Sequence, residues 1–160
     1  MEGASKNCLT NYKEHSSLTY TEAVAIETMR IKTVAPLLLF EHLENMEVNG
    51  YLFEKGEKML IETRYAAMQE ENFVNPTEFT PEIWIKEEKG KCSMGPDTKA
   101  YIPFSVGARF CPGKNLAMLE MKLVLSMLMK NFKLEMVTFK EDVKEIMVFT
   151  ICLQPLKLDW

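Results

Sequence analysis

One segment of the chain concentrates the residue types that do chemistry: Phe104-Ser105-Val106-Gly107-Ala108-Arg109-Phe110-Cys111-Pro112-Gly113. Gly107 and Gly113 are conformationally permissive, so the segment reads as a loop delivering one cysteine to the mouth of a helix. The free N–H groups and positive end of such a helix favour a thiolate over a thiol. Pro112 lacks an N–H and stiffens the chain just past the sulfur. Arg109 supplies a fixed cation whose planar fork suits a carboxylate. Cys8, Cys92, Cys152, His15 and His42 lie far off at spacings unlike those of a zinc site. A lone thiolate beside a cation suits an iron held in a macrocycle, which needs one ligand from the protein. A generic Gly/Cys turn more often holds an inert buried cysteine. The five fixed positions Phe104, Gly107, Arg109, Cys111 and Gly113 together, however, arise by chance in roughly one chain in ten thousand of this size.

The elements that must position this loop are legible from their periodicity. A helix is expected from about Lys114 to Asn131. Leu116, Ala117, Met118, Leu119, Met121, Leu123, Val124, Leu125, Met127 and Leu128 make it apolar nearly all round, so it is expected to be buried. A second helix is expected over Tyr20–Lys32, opened by a Thr19/Glu22 capping box and stopped by Pro36. Within it Glu27 and Arg30 share a face at i,i+3 and can form an ion pair. Glu47–Tyr51 and Lys58–Thr63 are candidate strands, with turn chemistry at Asn49-Gly50 and Lys55-Gly56, and Tyr65–Glu71 a candidate helical turn. Residues 72–103 hold Pro76, Pro81, Gly90, Gly95, Pro96 and Pro103 and read as a long irregular segment, functional or packed over something. Strands are expected again over Lys133–Thr138 and Ile146–Leu153. The fold class is mixed, mainly α with small β-sheets, with a polar lead-in over 1–17 followed by one structural unit over 18–160.

Bulk properties exclude several classes. The 160 residues are 47% hydrophobic and 26% charged, the composition of a globular domain with enough apolar material for a core. A net charge of −4 argues against nucleic acid as a partner. No membrane span is expected: Val34–Phe40 is too short, and Leu116–Met129 is interrupted by Glu120, Lys122 and Ser126. The polar first residues lack the apolar core of a signal peptide, so a reducing, cytoplasmic location and no disulfide framework are expected.

Phe-x-x-Gly-x-Arg-x-Cys-x-Gly resembles the cysteine-ligand loop of the cytochrome P450 family, and every fixed position matches. Glu27-Thr28-Met29-Arg30 resembles the Glu-x-x-Arg motif on that family's upstream helix, in the same order. The resemblance makes 18–160 the C-terminal, haem-binding part of a larger domain and implies the C-terminal portion of the family's fold: Glu-x-x-Arg helix, short sheet, irregular meander, cysteine loop, buried helix and C-terminal strands. It implies haem as cofactor, with Cys111 as proximal iron ligand and Arg109 facing a propionate. Phe104 would pack beside the sulfur, Gly107 and Gly113 would let the loop turn beneath the porphyrin, and Glu27–Arg30 would be a structural ion pair. Phe79-Thr80-Pro81-Glu82-Ile83-Trp84 departs from the pattern, because the family usually has arginine where Ile83 stands. Glu27 is therefore expected to have fewer partners. Phe40-Glu41-His42 stands where many members carry a propionate-binding arginine, and His42 is expected at the surface.

The implied activity is monooxygenation of an apolar small molecule with dioxygen and electrons from a ferredoxin, flavodoxin or flavin reductase. That partner would dock at the cysteine-loop face, near Lys91, Lys99, Arg109, Lys114 and Lys122. Val34–Leu39 and Phe149–Cys152 lie where members line the pocket. The resemblance covers only the C-terminal third or so of a typical member, so a separate chain supplying the N-terminal helices is a further possible partner. The alternatives are a non-catalytic thiolate–haem module (carrier, sensor or weak peroxidase) or an inactive remnant.

Overall fold

A computed structural model of the chain describes residues 18–88, 91–94, 99–136, 143–147, 150–154 and 158–159. The lead-in over 1–17 and Phe149 lie outside these.

Helix α1 spans Thr19–Ile31 and is the spine of the fold. The Thr19/Glu22 capping box is not formed. Leu18 is the N-cap and no side chain caps it, while the Glu22 N–H bonds to the Leu18 carbonyl at 3.0 Å. The Glu22 carboxylate instead takes an ion pair from Lys122 at 2.8 Å. The chain then enters β1 (Leu37–Glu41), the hairpin β2 (Met46–Val48) and β3 (Tyr51–Phe53), and β4 (Lys58–Glu62), which returns antiparallel beside β1. The strand expected over Glu47–Tyr51 is in fact split by the turn at Asn49-Gly50. Both residues have positive φ, 51° and 82°, the signature of a two-residue hairpin turn. The β1–β4 register sets Leu39 opposite Leu60 and Glu41 opposite Lys58.

Helix α2 is short, Thr63–Ala67, and stops before the expected Glu71. The region expected to be irregular contains a 3₁₀ turn at Pro81–Trp84 and a hairpin, β5 (Ile85–Glu88) with β6 (Lys91–Met94). Helix α3 runs Lys114–Asn131, at the boundaries expected. The C-terminal strands are β7 (Glu135–Met136), β8 (Lys144–Met147), β9 (Ile151–Gln154) and β10 (Leu158–Asp159), pairing β7 with β10 and β8 with β9.

The core is small and lies between α1, α2 and the 3₁₀ turn. Ala23, Ala67, Phe73 and Trp84 are buried together, with Ile26, Ile85, Ala100 and Tyr101 packed around them. Phe73 and Tyr101 flank the Trp84 ring, with centroids 5.8 and 4.9 Å away. The expectation that α3 is buried all round is not met: of its residues only Ser126 is buried, while Leu116, Val124, Met127 and Met129 are exposed. Its main partner among the described elements is α1. One neighbour covers one stripe of a helix, and the rest of the apolar surface meets solvent. No helix among the described residues is long and apolar enough to cross a membrane.

Candidate functional site: the cysteine loop and the buried ion pair behind it

The loop ahead of α3 is held by its own backbone. The Cys111 N–H donates to the Phe104 carbonyl at 2.9 Å, and the Phe110 N–H closes on the Gly107 carbonyl at 3.2 Å. The Cys111 carbonyl accepts from the Lys114 N–H at 3.3 Å, fixing the cysteine to the first turn of α3. Two residues lie in the left-handed region, Gly107 at φ 75° and Ser105 at φ 62°. Gly107 is required by that dihedral, because a Cβ there would meet nothing within 4 Å. Ser105 has a side chain and adopts the same unfavourable region, a local strain no sequence pattern signals.

Gly113 behaves differently from the expectation. It sits at φ −81° and ψ 0°, ordinary helical backbone, so it is not a turn-permissive position. Its distinguishing feature is proximity to the sulfur: a Cβ would stand 3.7 Å from Cys111 Sγ. The small residue keeps a methyl off the thiol.

Cys111 is a free, half-buried cysteine. No side chain caps α3, so its N-terminal dipole meets the cysteine turn without a side-chain acceptor. Arg109, Phe110 and Val106 are exposed, and Phe104 is half-buried. Lys99 and Lys114 are exposed too, whereas Lys122 is turned away and mostly buried in its ion pair with Glu22. Lys122 therefore does not belong to a basic surface around the loop. The side chains of Lys91, Cys92 and Cys152 lie outside the described set.

Behind the loop lies the ion pair. Glu27 and Arg30 are the largest fully buried side chains among the described residues, 0% and 1% exposed. Arg30 Nε donates to Glu27 Oε2 and Arg30 Nη2 to Oε1, both at 2.9 Å, a two-pronged contact on one helix face. The remaining guanidinium hydrogens reach the carbonyls of Pro76 (2.6 Å), Ala67 (2.9 Å) and Glu78 (3.1 Å). Arg30 thereby ties the end of α2 and the Pro76–Glu78 turn to α1, and its planar head lies 4.9 Å over the Phe73 ring.

The expectation that Ile83 leaves Glu27 short of partners is overturned. The Thr80 N–H donates to Glu27 Oε1 at 2.9 Å and the Trp84 indole N–H to Oε2 at 2.8 Å. Each carboxylate oxygen thus accepts twice, which fills the capacity of the group. Ile83 points outward and is 38% exposed. Burial pushes the Glu27 carboxyl up, but the bonds from Arg30, Thr80 and Trp84 and the charge of Arg30 outweigh it and hold it below its ordinary range.

His42 also departs from expectation. It is buried, stacks on Phe53 with centroids 4.9 Å apart, and leaves Nε2 without a hydrogen-bond partner. Its backbone N–H donates to the Glu57 carbonyl and its carbonyl accepts from the Gly56 N–H, which holds the ring against Phe53 in the β1–β2 connection.

A half-buried thiol at a helix mouth, a strained loop closed on it and an exposed guanidinium two residues away make a sulfur-presenting site. The donor set fits haem, whose iron takes a single protein sulfur and whose propionates suit an arginine.

The Cytochrome P450 family profile matches residues 3–160. The beta-amyrin 11-oxidase of Glycyrrhiza uralensis is 33% identical over 123 residues, covering 77% of this chain and 24% of that protein. The steroid 17-alpha-hydroxylase/17,20 lyase of Ictalurus punctatus is 33% identical over 146 residues, covering 90% and 28%. The heme domain of cytochrome P450DA superposes with a TM-score of 0.80 at 24% identity, covering 95% of this chain and 33% of that one. The chain belongs to the cytochrome P450 family. It has the fold of the matching third of that family's haem domain, with haem as the family's cofactor, and spans about a quarter of the length of the curated relatives it matches.

Proposed function

We propose that residues 18–160 are the haem-ligating part of a cytochrome P450 monooxygenase, with Cys111 as the proximal thiolate. The observation that carries this reading is the Cys111 turn. A free, half-buried sulfur is held at the mouth of an 18-residue helix by its own N–H on Phe104 and its carbonyl on Lys114. Haem bound there supplies the iron chemistry that activates dioxygen, using electrons delivered by a redox partner.

This chain's residues have defined tasks in that reading. Cys111 ligates the iron, and Arg109 pairs with a propionate. Gly107 sets the loop's reversal beneath the ring, and Gly113 keeps the sulfur's flank clear. Phe104 shields the sulfur. Glu27 and Arg30 take no part in the chemistry and fix the scaffold.

The substrate is an apolar small molecule. Leu37, Leu39 and Leu60 are exposed along one face of the β1–β4 sheet, an apolar strip unusual for a solvent face. The partner at the cysteine-loop face is an acidic electron carrier (ferredoxin, flavodoxin or flavin reductase), steered by Lys99, Arg109 and Lys114. The exposed apolar face of α3 is where further chain, covalent or separate, packs.

The test is the absorption spectrum of the reduced, haem-reconstituted chain under carbon monoxide, beside Cys111→Ser. A strongly red-shifted Soret band lost in Cys111→Ser supports the reading. Haem that binds equally well to both variants without the shifted band refutes Cys111 as ligand.

A further inference from the structure

The Glu27 carboxylate has four acceptor positions, filled by four N–H donors from three residues. Arg30 fills two positions, the Thr80 backbone fills a third, and the Trp84 indole N–H fills the last at 2.8 Å. Trp84 is 5% exposed, so this donor has no water to replace it. It also satisfies the carboxylate without adding charge, and the buried cluster stays a neutral Glu27–Arg30 pair.

The other face of Trp84 meets the cysteine loop's approach. Its ring stands 4.9 Å from that of Tyr101, tilted by 51°. Tyr101 leads through Ile102 and Pro103 to Phe104, whose carbonyl holds the Cys111 N–H. Tyr101, Ile102 and Pro103 also line one small cleft with Met29, Thr33, Thr63 and Ala67. The Tyr101 hydroxyl is buried without a hydrogen-bond partner, so ring contact places the residue and its O–H does not. Burial, and then the negative charge of Glu27, keep that hydroxyl protonated well above its ordinary range.

We propose that Trp84 is a positioning residue that couples the buried ion pair to the cysteine loop. Its N–H completes the Glu27 shell, and its ring sets Tyr101 and, through it, the segment that ends on Cys111. The consequence for haem rests on Cys111 being the ligand; the coupling itself does not.

Hydrogen exchange of the 160-residue chain separates the two ends. Trp84→Phe keeps a ring and removes the donor. It should raise exchange along 19–31 and at Thr80 by about tenfold while leaving residues 104–113 near wild type. Trp84→Leu removes both and should raise exchange of the Phe110 and Cys111 amides by about tenfold relative to the β1–β4 sheet. Tyr101→Leu should reproduce the loop effect alone, and Tyr101→Phe should change nothing. Should Trp84→Leu fail to fold, Trp84→Phe and Tyr101→Leu test the coupling from either end. Loop amides that stay protected in Tyr101→Leu, or a rise equal in loop and sheet, overturn the proposal. In the haem-loaded chain, Trp84→Leu should move part of the red-shifted carbon monoxide band to the unshifted position. A wild-type chain without that band would sink the haem reading and leave the exchange result standing.

Discussion

Arg30→Met is the most discriminating perturbation of the scaffold. The substitution keeps an unbranched apolar stem and removes a guanidinium that is 1% exposed. Glu27 would then hold a buried negative charge with only the Thr80 and Trp84 donors, and the carbonyls of Ala67, Pro76 and Glu78 would each lose a donor. Removing one partner of a buried pair costs about 3–5 kcal/mol. Against the about 5–15 kcal/mol that holds a typical domain together, this is at least a fifth of the total. At a urea slope of about 2 kcal/mol/M, the unfolding midpoint should fall by roughly 2 M. The assay is urea unfolding followed by circular dichroism and tryptophan fluorescence. Glu27→Leu combined with Arg30→Met should cost less than the sum of the two single changes, because both charges leave together. A midpoint loss under about 0.5 M for Arg30→Met would refute the reasoning, since that is the scale of a solvated surface pair.

Three other perturbations follow from the same geometry. Ile83→Arg should leave stability within about 0.5 kcal/mol of wild type, because every Glu27 acceptor is already occupied; a melting temperature raised by several degrees would show a vacancy after all. Gly107→Ala should cost about 1–2 kcal/mol from backbone strain alone, seen as lower thermal stability with local loss of Cys111 amide protection. The Glu27 carboxyl is lowered in the folded state, so its contribution is complete above the ordinary value of 4.5 and is lost as pH falls below it. Acid titration of wild type should therefore show a stability loss below that pH, and Glu27→Gln should flatten it.

Much of the site was legible in sequence because its geometry is local. The loop's five fixed residues, the Glu27/Arg30 spacing and both ends of α3 are properties of neighbouring residues. What failed was set by partners distant in sequence. Glu22 was expected to cap its own helix, but Lys122, a hundred positions away, claims it. The same pairing takes Lys122 out of the basic surface. Trp84 gave no signal as a donor to Glu27, since an indole in an aromatic slot reads as core. The apolar run at Leu37–Phe40 hid a strand, because alternation of exposure along β1 comes from pairing with β4 and not from its composition. Helix α3 shows the opposite limit: apolar composition states what a surface wants, while burial depends on what is there to cover it.

Two ionic contacts among the described residues differ in character. Glu145 on β8 bridges Lys32 at the end of α1 and Arg64 in α2, with all three side chains partly open to solvent. Together with the Ile151 N–H on the Val34 carbonyl, this bridge fastens the β8–β9 hairpin to the segment that leaves α1. Added electrolyte weakens the open bridge as the screening length falls from about 8 Å toward about 3 Å near molar salt, and leaves the sealed Glu27–Arg30 pair almost untouched. Ionic strength is thus a dial on the seating of the C-terminal hairpin, which brings Ile151 against the Val34–Leu39 stretch, while the frame that holds the cysteine does not respond to it.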